Sequence, residues 1–270
     1  MNTKINDNQI ENYQENGFLI YDAFLNKNEI MDLKKEIDNA IKEMGANKIA
    51  GREKSQRFED KKGDNYNETV YLQRLNLWKI NQYIKKFFTD NSLGEMLCKL
   101  AKVKKMRIWH DQTLQKQPWA NPTSWHLDNP KWSFYSKNSI SIWIALDDAT
   151  ILNGCVFYLP KSHKLAKFDN DVHIGKKMDD LFELYPEFRK LDPVAAEMKA
   201  GDAGFHNGLI AHAAGANMTN NTRAAMTCAF MPEGSTYNGQ QNILSESYVG
   251  KLKIGDLLND SSINPIVGDY

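Results

Sequence analysis

The sequence predicts a mainly β protein with flanking helices: a double-stranded β-helix core (jelly-roll, cupin-like) with an N-terminal helical elaboration. Helical periodicity dominates the first hundred residues, and short β-type runs separated by turns recur from about residue 103. The composition is globular, with 41% hydrophobic and 25% charged residues. We expect one domain over residues 1–270, divided into a helical part (1–101), a jelly-roll core (102–232) and a C-terminal extension (233–270).

The N-terminal part opens with a helical pattern around residues 10–17, followed by a short apolar strand at 18–21. A longer helix is predicted to begin after Asn26. Asn26 with Glu29 three residues later has the pattern of a capping box, and apolar residues then recur at helical spacing as far as Ile41.

Loop, strand and helix patterns complete this part of the chain. Residues 46–68 are polar and rich in Lys, Asp, Asn and Gly, which predicts a long mobile loop of the kind that often acts as a lid. Residues 70–78 alternate as a strand does, and residues 80–101 return to a helical pattern.

The predicted core consists of short apolar or β-branched runs, with turns rich in Pro, Gly, Asn and Asp between them. The runs lie at 103–109, 139–146, 154–159, 203–213 and 223–231. A helical insert at about 176–191 interrupts them, and the tail is expected to wrap the outside. Barrels of this type enclose a cavity between two sheets, where side chains from different strands can surround one metal ion.

Charge and cysteine content narrow the classes of function. Lys+Arg and Asp+Glu both number 34, so no global basic field points to nucleic acid or an anionic membrane. The N-terminus lacks the apolar region of a secretory signal, and no stretch approaches the ~18 apolar residues of a membrane span. Cys98, Cys155 and Cys228 form no CxxC pair. We expect a reduced, cytoplasmic setting and a small-molecule substrate. The sequence carries no signal for oligomeric state.

His126 and Asp128 form the first candidate functional motif. In an extended strand, side chains two residues apart point to the same side, so an imidazole and a carboxylate would share one face. His212, in a later predicted strand, supplies a third donor. Two imidazoles and a carboxylate form the facial triad of non-haem Fe(II) oxygenases, which leaves room for a 2-oxoacid and O₂. On its own, the His-x-Asp pattern fits equally well a histidine that bonds a backbone carbonyl.

Arg223 follows His212 by eleven residues. The connection is rich in turn residues, and a hairpin of that length would return Arg223 beside His212 on the next strand. A guanidinium is a bidentate partner for the far carboxylate of a dicarboxylic 2-oxoacid. Arg223 alone would more often form a surface ion pair, but together with the triad the cosubstrate role is favoured.

The alternating run 106–116 places His110, Gln112 and Lys116 on one face of a strand. If this face is the barrel interior, His110 and Gln112 could hydrogen-bond the C1 carboxylate of the 2-oxoacid. The alternative is a satisfied polar patch on a sheet. Lys116 could meet an anionic group of the substrate or be solvated.

Aromatic residues are dense between positions 118 and 135, beside the predicted iron motif. Trp125 and Trp132 could wall a substrate pocket, and core packing is the alternative for both. His206 precedes His212 by six residues, but the Asn-Gly pair after it suggests a bend, so His206 is not assigned to iron.

Taken together, these motifs resemble the phytanoyl-CoA dioxygenase family, which includes the ectoine hydroxylases. The matching blocks begin at Tyr13-Gln-Glu-Asn-Gly17, Trp125-His126-Leu-Asp128, Trp143-Ile-Ala-Leu146, Asn153-Gly154 and His206-Asn-Gly208, the last of these leading to His212 and Arg223. The resemblance implies an Fe(II)- and 2-oxoglutarate-dependent oxygenase. It also implies iron at His126, Asp128 and His212, 2-oxoglutarate at Arg223, and Trp143 lining the cosubstrate pocket.

The expected reaction is hydroxylation of an unactivated C–H bond in a small metabolite or natural product. Fe(II) is the cofactor, 2-oxoglutarate and O₂ are the cosubstrates, and succinate and CO₂ are the coproducts. One alternative is desaturation or ring closure by the same oxidative chemistry. Another is a non-catalytic jelly-roll protein that binds a ligand in its cavity.

Overall fold

The computed structural model describes residues 1–45, 47–51, 69–169 and 172–268. Of the predicted lid at 46–68, residues 47–51 are described, and the rest lies outside the described residues. Ile49 and Ala50 are buried and Ile49 forms a β-bridge with Leu75, so the prediction of a mobile loop is wrong for this short part. The helices are α1 (Asp7–Asn16), α2 (Lys27–Met44), α3 (Gln82–Phe88), α4 (Asn91–Ala101), α5 (Asp180–Leu184) and α6 (Glu246–Val249). The strands are β1 (Phe18–Tyr21), β2 (Leu72–Leu75), β3 (Met106–Lys116), β4 (Thr123–His126), β5 (Ile140–Ala145), β6 (Val156–Tyr158), β7 (Val194–Ala196), β8 (Ala203–Asn207), β9 (His212–Ala214), β10 (Arg223–Pro232) and β11 (Ile266–Val267).

Two antiparallel sheets form the core. The larger sheet has the strand order β1-β8-β5-β10-β3-β11, with β2 also pairing with β3, and the smaller has the order β4-β9-β6-β7. This is the predicted double-stranded β-helix with flanking helices, so the expected fold class is confirmed. The N-terminal part and the C-terminal extension each contribute strands to the larger sheet, through β1, β2 and β11.

The two faces of the larger sheet have different neighbours: one packs against the helices and the other faces the smaller sheet. Ile142 and Ile144 of β5 pack with Phe230 of β10 in the same apolar cluster as the buried residues of α2, α3 and α4. Because side chains alternate along a strand, Trp143 and Ala225 point the other way, and they pack with residues of the smaller sheet. The space between the sheets is therefore where polar side chains of both sheets can meet.

Helix α2 begins as predicted. The Asn26 side chain accepts hydrogen bonds from the N–H groups of Asn28 and Glu29, and the Glu29 carboxylate accepts one from the N–H of Asn26. The prediction of a single helix over 80–101 is wrong. Asp90 caps a new helix by accepting from two backbone N–H groups, so the segment divides into α3 and α4.

Residues 70–78 form a shorter strand than predicted. After β2, Asn76 adopts a left-handed conformation with φ 62°, and Leu77–Lys79 form a 3-10 turn. Asp111, on the neighbouring strand β3, is fully buried and accepts from the N–H groups of Leu77 (2.9 Å) and Trp78 (2.7 Å). Long-range capping by a side chain thus ends the strand.

The remaining segments depart from the predictions in detail. The insert at 176–191 is helical only at α5 and at a 3-10 turn, Pro186–Lys190. The C-terminal extension does more than wrap the outside, because Tyr237 and Leu244 are buried in a cluster with Trp109. Within the part of the chain that the structure describes, no helix combines the length and the apolarity that a membrane crossing needs.

Candidate active site

His126, Asp128 and His212 converge between the two sheets. Their ligand-type atoms lie within 4.8 Å of one another. The Oδ1 atom of Asp128 is 3.7 Å from Nε2 of His126 and 3.9 Å from Nε2 of His212. Among the described residues, this is the only group of three His, Cys, Asp or Glu side chains that could hold a metal ion.

Strand pairing in the smaller sheet brings the two histidines together. His126, the last residue of β4, lies directly opposite His212, the first residue of β9. Asp128 lies beyond the end of β4, with φ −85° and ψ −53°. Its N–H and that of Asn129 donate to the carbonyl of Gly208, at 3.2 and 2.8 Å. The explanation of the motif by strand alternation is therefore wrong, because a turn anchored on Gly208 directs the carboxylate to the site.

Each histidine ring is oriented by a hydrogen bond that its Nδ1 donates to the backbone carbonyl two residues earlier in the chain. Nδ1 of His126 lies 2.8 Å from the carbonyl oxygen of Ser124, and Nδ1 of His212 lies 3.1 Å from that of Ile210. A carbonyl can only accept, so Nδ1 carries the proton and the Nε2 lone pair faces the centre of the group. These hydrogen bonds to backbone carbonyls leave both Nε2 atoms free to face Asp128, as a pair of metal ligands would.

The charges of this group suit a divalent metal. Burial lowers the pKa of His126 well below its usual value, with His212 adding to the effect. Burial also lowers the pKa of His212 to about 4, against the opposing effect of Asp128. Burial alone would raise the pKa of Asp128. The combined effect of His212, His206 and His126 is larger and in the opposite direction, so the pKa of Asp128 lies well below its usual value. Two neutral imidazoles and an ionised carboxylate are the protonation states that metal binding requires.

Arg223 is buried on the inner face of the larger sheet. One of its terminal nitrogens donates to the carbonyl of Gly154 at 3.3 Å, and its guanidinium carbon lies 5.0 Å from the Trp143 ring centroid. Its Nε and its other terminal nitrogen are buried with no hydrogen-bond partner within the described part of the chain. Burial lowers its pKa to about 10, so the group stays cationic near neutral pH. Unpaired buried N–H groups on a cation mark a place for an anion.

The predicted hairpin between His212 and Arg223 is wrong. His212 begins β9 in the smaller sheet, whereas Arg223 begins β10 in the larger sheet. The connection between them crosses from one sheet to the other. Arg223 thus faces the interior from the opposite wall, and a molecule bound to both the metal site and Arg223 would bridge the sheets.

Lys116 lies directly opposite Arg223 in the pairing of β3 with β10. It is fully buried, and its ammonium donates to the carbonyl of Asn121 at 2.7 Å. Burial and, to a smaller extent, the charge of Arg223 lower its pKa to about 7. Gly154 lies against both side chains: its carbonyl accepts from Arg223, and a Cβ on it would come within 2.7 Å of Cδ of Lys116. Arg223 and Lys116 therefore lie side by side on the inner face of the larger sheet.

His110 and Gln112 lie on the same face of β3 as Lys116. His110 is buried beside the Trp132 ring, and its Nδ1 has no hydrogen-bond partner among the residues described. Burial lowers its pKa to about 4, with Asp128 opposing. Gln112 accepts a hydrogen bond from Gln73 of β2. His110 therefore has a free ring nitrogen for a ligand, whereas Gln112 is held by its neighbour.

The two candidate substrate residues differ in exposure. Trp132 is buried and lies against Phe134, with ring centroids 5.5 Å apart. Trp125 is half-buried and lies against Phe182 at 5.7 Å. Tyr71 was not predicted as a site residue, yet burial and the charge of Asp128 raise its pKa to about 12. Its position in the alternating run 70–78 was the available signal.

The fold and the donor set first define the class. A double-stranded β-helix that carries two imidazoles and a carboxylate at one point has the facial triad of non-haem Fe(II) oxygenases. The family model for phytanoyl-CoA dioxygenase (PhyH) matches residues 13–225, and the chain belongs to this family. The predicted resemblance is confirmed. The protein is thus an oxygenase that uses Fe(II) and 2-oxoglutarate, and the triad and the unpaired N–H groups of Arg223 fit these two groups.

The matches to individual relatives extend over most of this chain and most of each relative. A phytanoyl-CoA dioxygenase of Arabidopsis thaliana is 22% identical over 248 residues, which cover 80% of this chain and 85% of the relative. A methylphosphonate hydroxylase of Gimesia maris is 24% identical, with 84% and 80% covered. The solved structure of SnoK, a non-heme alpha ketoglutarate dependent carbocyclase from nogalamycin biosynthesis, has a TM-score of 0.77 at 22% identity and covers 98% of this chain and 97% of its own. The epimerase SnoN, in complex with Fe3+, alpha ketoglutarate and nogalamycin RO, has a TM-score of 0.72 at 20% identity, with 97% and 98% covered.

Proposed function

We propose that this protein hydroxylates an unactivated C–H bond of a small molecule, with conversion of 2-oxoglutarate and O₂ to succinate and CO₂. The observation that carries the proposal is the pair of buried, unpartnered N–H groups on Arg223, in the same inter-sheet space as a three-donor metal site. A metal site alone would fit many enzymes. A metal site with a buried cation at the far end of the cavity suits a dicarboxylate that chelates through its other end.

In this proposal, His126, Asp128 and His212 hold the iron, which supplies the oxidising chemistry once 2-oxoglutarate and O₂ are bound. Arg223 binds the far carboxylate of 2-oxoglutarate over the Trp143 ring. The protein's own contribution is to orient the reactants and to exclude water from the space between the sheets.

The nearer end of 2-oxoglutarate is assigned to β3. His110 offers the C1 carboxylate a ring nitrogen that no described protein group occupies. Gln112 is a second candidate donor, and its hydrogen bond from Gln73 would orient its amide. Both assignments are proposals, and they require 2-oxoglutarate to bind with its C1 carboxylate facing β3.

The substrate is proposed to be a small metabolite or natural product, and Trp132, which lies beside His110, is the candidate wall of its pocket. Trp125 packs against Phe182 on the face of β4 opposite to His126, so the predicted substrate role of Trp125 is not supported. A role for Lys116 in binding an anionic substrate group stays a prediction, and its position beside Arg223 suits an anion of either molecule. The zero net charge of the chain disfavours nucleic acid as the substrate. The carbocyclase and the epimerase of similar fold come from the biosynthesis of a small molecule, nogalamycin, which agrees with this class.

The test is an anaerobic titration with Fe(II) and 2-oxoglutarate, followed by the metal-to-ligand charge-transfer absorption in the visible. Wild-type protein should develop the band. Asp128→Ala should lose it, because a metal ligand is gone. Arg223→Ala should keep it but need at least about 100-fold more 2-oxoglutarate, since a charge-assisted bidentate contact is worth about 3 kcal/mol.

Arg189→Ala is the matched control, because Arg189 pairs with Asp179 at the surface. It should behave as wild type. A well-folded wild-type protein without the band would overturn the oxygenase assignment in favour of a non-catalytic binding protein. A band with unchanged 2-oxoglutarate demand in Arg223→Ala would overturn the role of Arg223.

Product analysis by mass spectrometry then separates hydroxylation from its alternatives. Hydroxylation adds one oxygen atom to the substrate, whereas desaturation and ring closure remove two hydrogen atoms. The candidate substrates are screened by succinate release. A product that has lost hydrogen without gaining oxygen would replace the hydroxylase assignment with the alternative use of the same oxidant.

A further inference from the structure

Two buried polar side chains, Tyr158 and His206, form a line that ends on the half-buried Asp128, the proposed iron ligand. The Tyr158 hydroxyl lies 3.2 Å from Nδ1 of His206, and Nε2 of His206 lies 3.6 Å from Oδ2 of Asp128. Tyr158 belongs to the smaller sheet and His206 to the larger, so the line crosses the space between them. Neither Tyr158 nor His206 has a role in the proposed chemistry.

We propose that His206, oriented by Tyr158, is a positioning residue that fixes Asp128 as a ligand through one oxygen. The inference rests on the proposed role of Asp128 as an iron ligand. It assigns the two carboxylate oxygens to different partners. Oδ1 faces Nε2 of His126 and of His212 across the metal site, whereas Oδ2 faces His206.

The hydrogen-bond directions along the line are set by Asp128. Its ionised carboxylate can only accept, so in the neutral His206 ring the proton is on Nε2, the atom that points at Oδ2. Nδ1 then carries the lone pair and accepts from the buried Tyr158 hydroxyl. The line therefore directs an N–H group at Oδ2 from 3.6 Å, a close polar contact that is longer than a formed hydrogen bond.

The surrounding residues are shaped to keep Tyr158 in place. A Cβ at Gly204 would lie 2.8 Å from the Tyr158 hydroxyl oxygen, so the hydroxyl occupies the space that a side chain there would fill. Phe18 stacks on the Tyr158 ring, with centroids 4.7 Å apart and planes at 21°. Phe18 also lies opposite His206 in the pairing of β1 with β8. Three strands thus hold the tyrosine and the histidine.

Attachment through one oxygen has a consequence for function. Two histidines and a one-oxygen carboxylate fill three positions of a six-coordinate metal, which leaves three for a chelating 2-oxoacid and O₂. A carboxylate that bound through both oxygens would fill a fourth position and compete with one of them. Hydrogen bonds to the ligands of a metal commonly change affinity or activity by about 10- to 100-fold when they are removed.

The test compares two substitutions of His206 by their metal affinity. His206→Gln keeps an N–H donor on a flexible side chain, and His206→Phe keeps a ring of similar size without a donor. Affinity for Co(II) is measured anaerobically, from tryptophan fluorescence and the visible absorption of the bound ion. We expect affinity to fall by roughly 10- to 100-fold in His206→Phe, and by less in His206→Gln. Tyr158→Phe, which removes the hydroxyl that orients the His206 ring through Nδ1, should have a Co(II) affinity between those of wild type and His206→Phe.

A purely packing role for His206 predicts the opposite order, because phenylalanine fills the space better than glutamine. Metal binding by His206→Phe that is equal to or tighter than that of His206→Gln would therefore overturn the inference. If His206→Phe does not fold, Tyr158→Phe decides: unchanged Co(II) affinity and spectrum in that variant would overturn it. His173→Gln, at an exposed loop position, is the control. The charge-transfer band of the wild-type Fe(II) and 2-oxoglutarate complex is recorded alongside, so failure of the proposed function is detected separately.

Discussion

The most unusual residue of the cavity is Lys116, a fully buried lysine opposite a buried arginine. Burying one cation is costly, and a second cation beside it adds repulsion. The anion that Arg223 is proposed to bind would relieve both. The protein without its ligands should therefore be under electrostatic stress at this end of the cavity.

A pH dependence of stability follows from Lys116. Its folded-state pKa is lowered from 10.5 to about 7. Between these values the unfolded chain binds a proton that the folded chain does not, so the free energy of unfolding rises with pH in this window. Lys116→Met should reduce this rise by up to about 1.4 kcal/mol per pH unit. Urea denaturation at pH 7 and pH 9, without metal or 2-oxoglutarate, measures the difference.

The exposed Lys199 gives the matched control, since Lys199→Met removes a lysine without removing a buried cation. Its pH dependence should equal that of wild type. If the free energy of unfolding changes equally with pH in wild type and Lys116→Met, Lys116 does not titrate between pH 7 and pH 9.

At the scale of secondary structure, side-chain caps decide where elements begin and end. Asn26 begins α2, Asp90 separates α3 from α4, and Asp111 ends β2 from a different strand. The first two caps are local, and a sequence pattern can reveal them. The third acts between residues more than thirty positions apart, so no local pattern reveals it.

The cap of α2 can be tested by Asn26→Ala. The substitution leaves two backbone N–H groups of the first turn without their side-chain acceptor, so the free energy of unfolding should fall by about 1 kcal/mol. Urea denaturation measures it. Asn39→Ala, within the same helix, is the control and should be neutral or slightly stabilising, because alanine favours a helix interior. Equal stabilities for the two variants would contradict the capping role.

At the scale of the whole molecule, the proposed ligands join the two sheets. The metal donors belong to β4, β9 and the turn after β4, whereas Arg223 and Trp143 belong to the other sheet. A molecule bound to both would stabilise the folded state by mass action. Its effect should depend on residues from each sheet.

Thermal unfolding with Co(II) and 2-oxoglutarate tests this bridging. In wild type, 2-oxoglutarate should raise Tm only when Co(II) is present, with a stabilisation of about 2.7 kcal/mol at 100 times its Kd. Arg223→Ala should keep the Tm increase caused by Co(II) and lose most of the further increase. 2-Oxobutyrate, which lacks the far carboxylate, should affect wild type and Arg223→Ala alike. An equal response of both proteins to 2-oxoglutarate would contradict the bridge.

The sequence by itself determined the chemical identity of the candidate site and much of the fold. His126, Asp128, His212 and Arg223 stood out because few residue types bind a metal or a carboxylate. The fold class followed from periodicity, since helix and strand repeats are local properties of the chain. The family resemblance added order and spacing to these separate signals.

Only the tertiary structure decided how the elements meet. In the run 203–213 the Asn-Gly pair at 207–208 suggested a bend, and the chain divides there, at residues 208–211, into β8 and β9 of different sheets. That division places His206 against Asp128, and the crossing to β10 places Arg223 on the wall opposite His212. Local periodicity reports which face of a strand a residue occupies. The sheet that a strand joins depends on pairing between residues far apart in the chain, and that pairing is settled when the whole core packs.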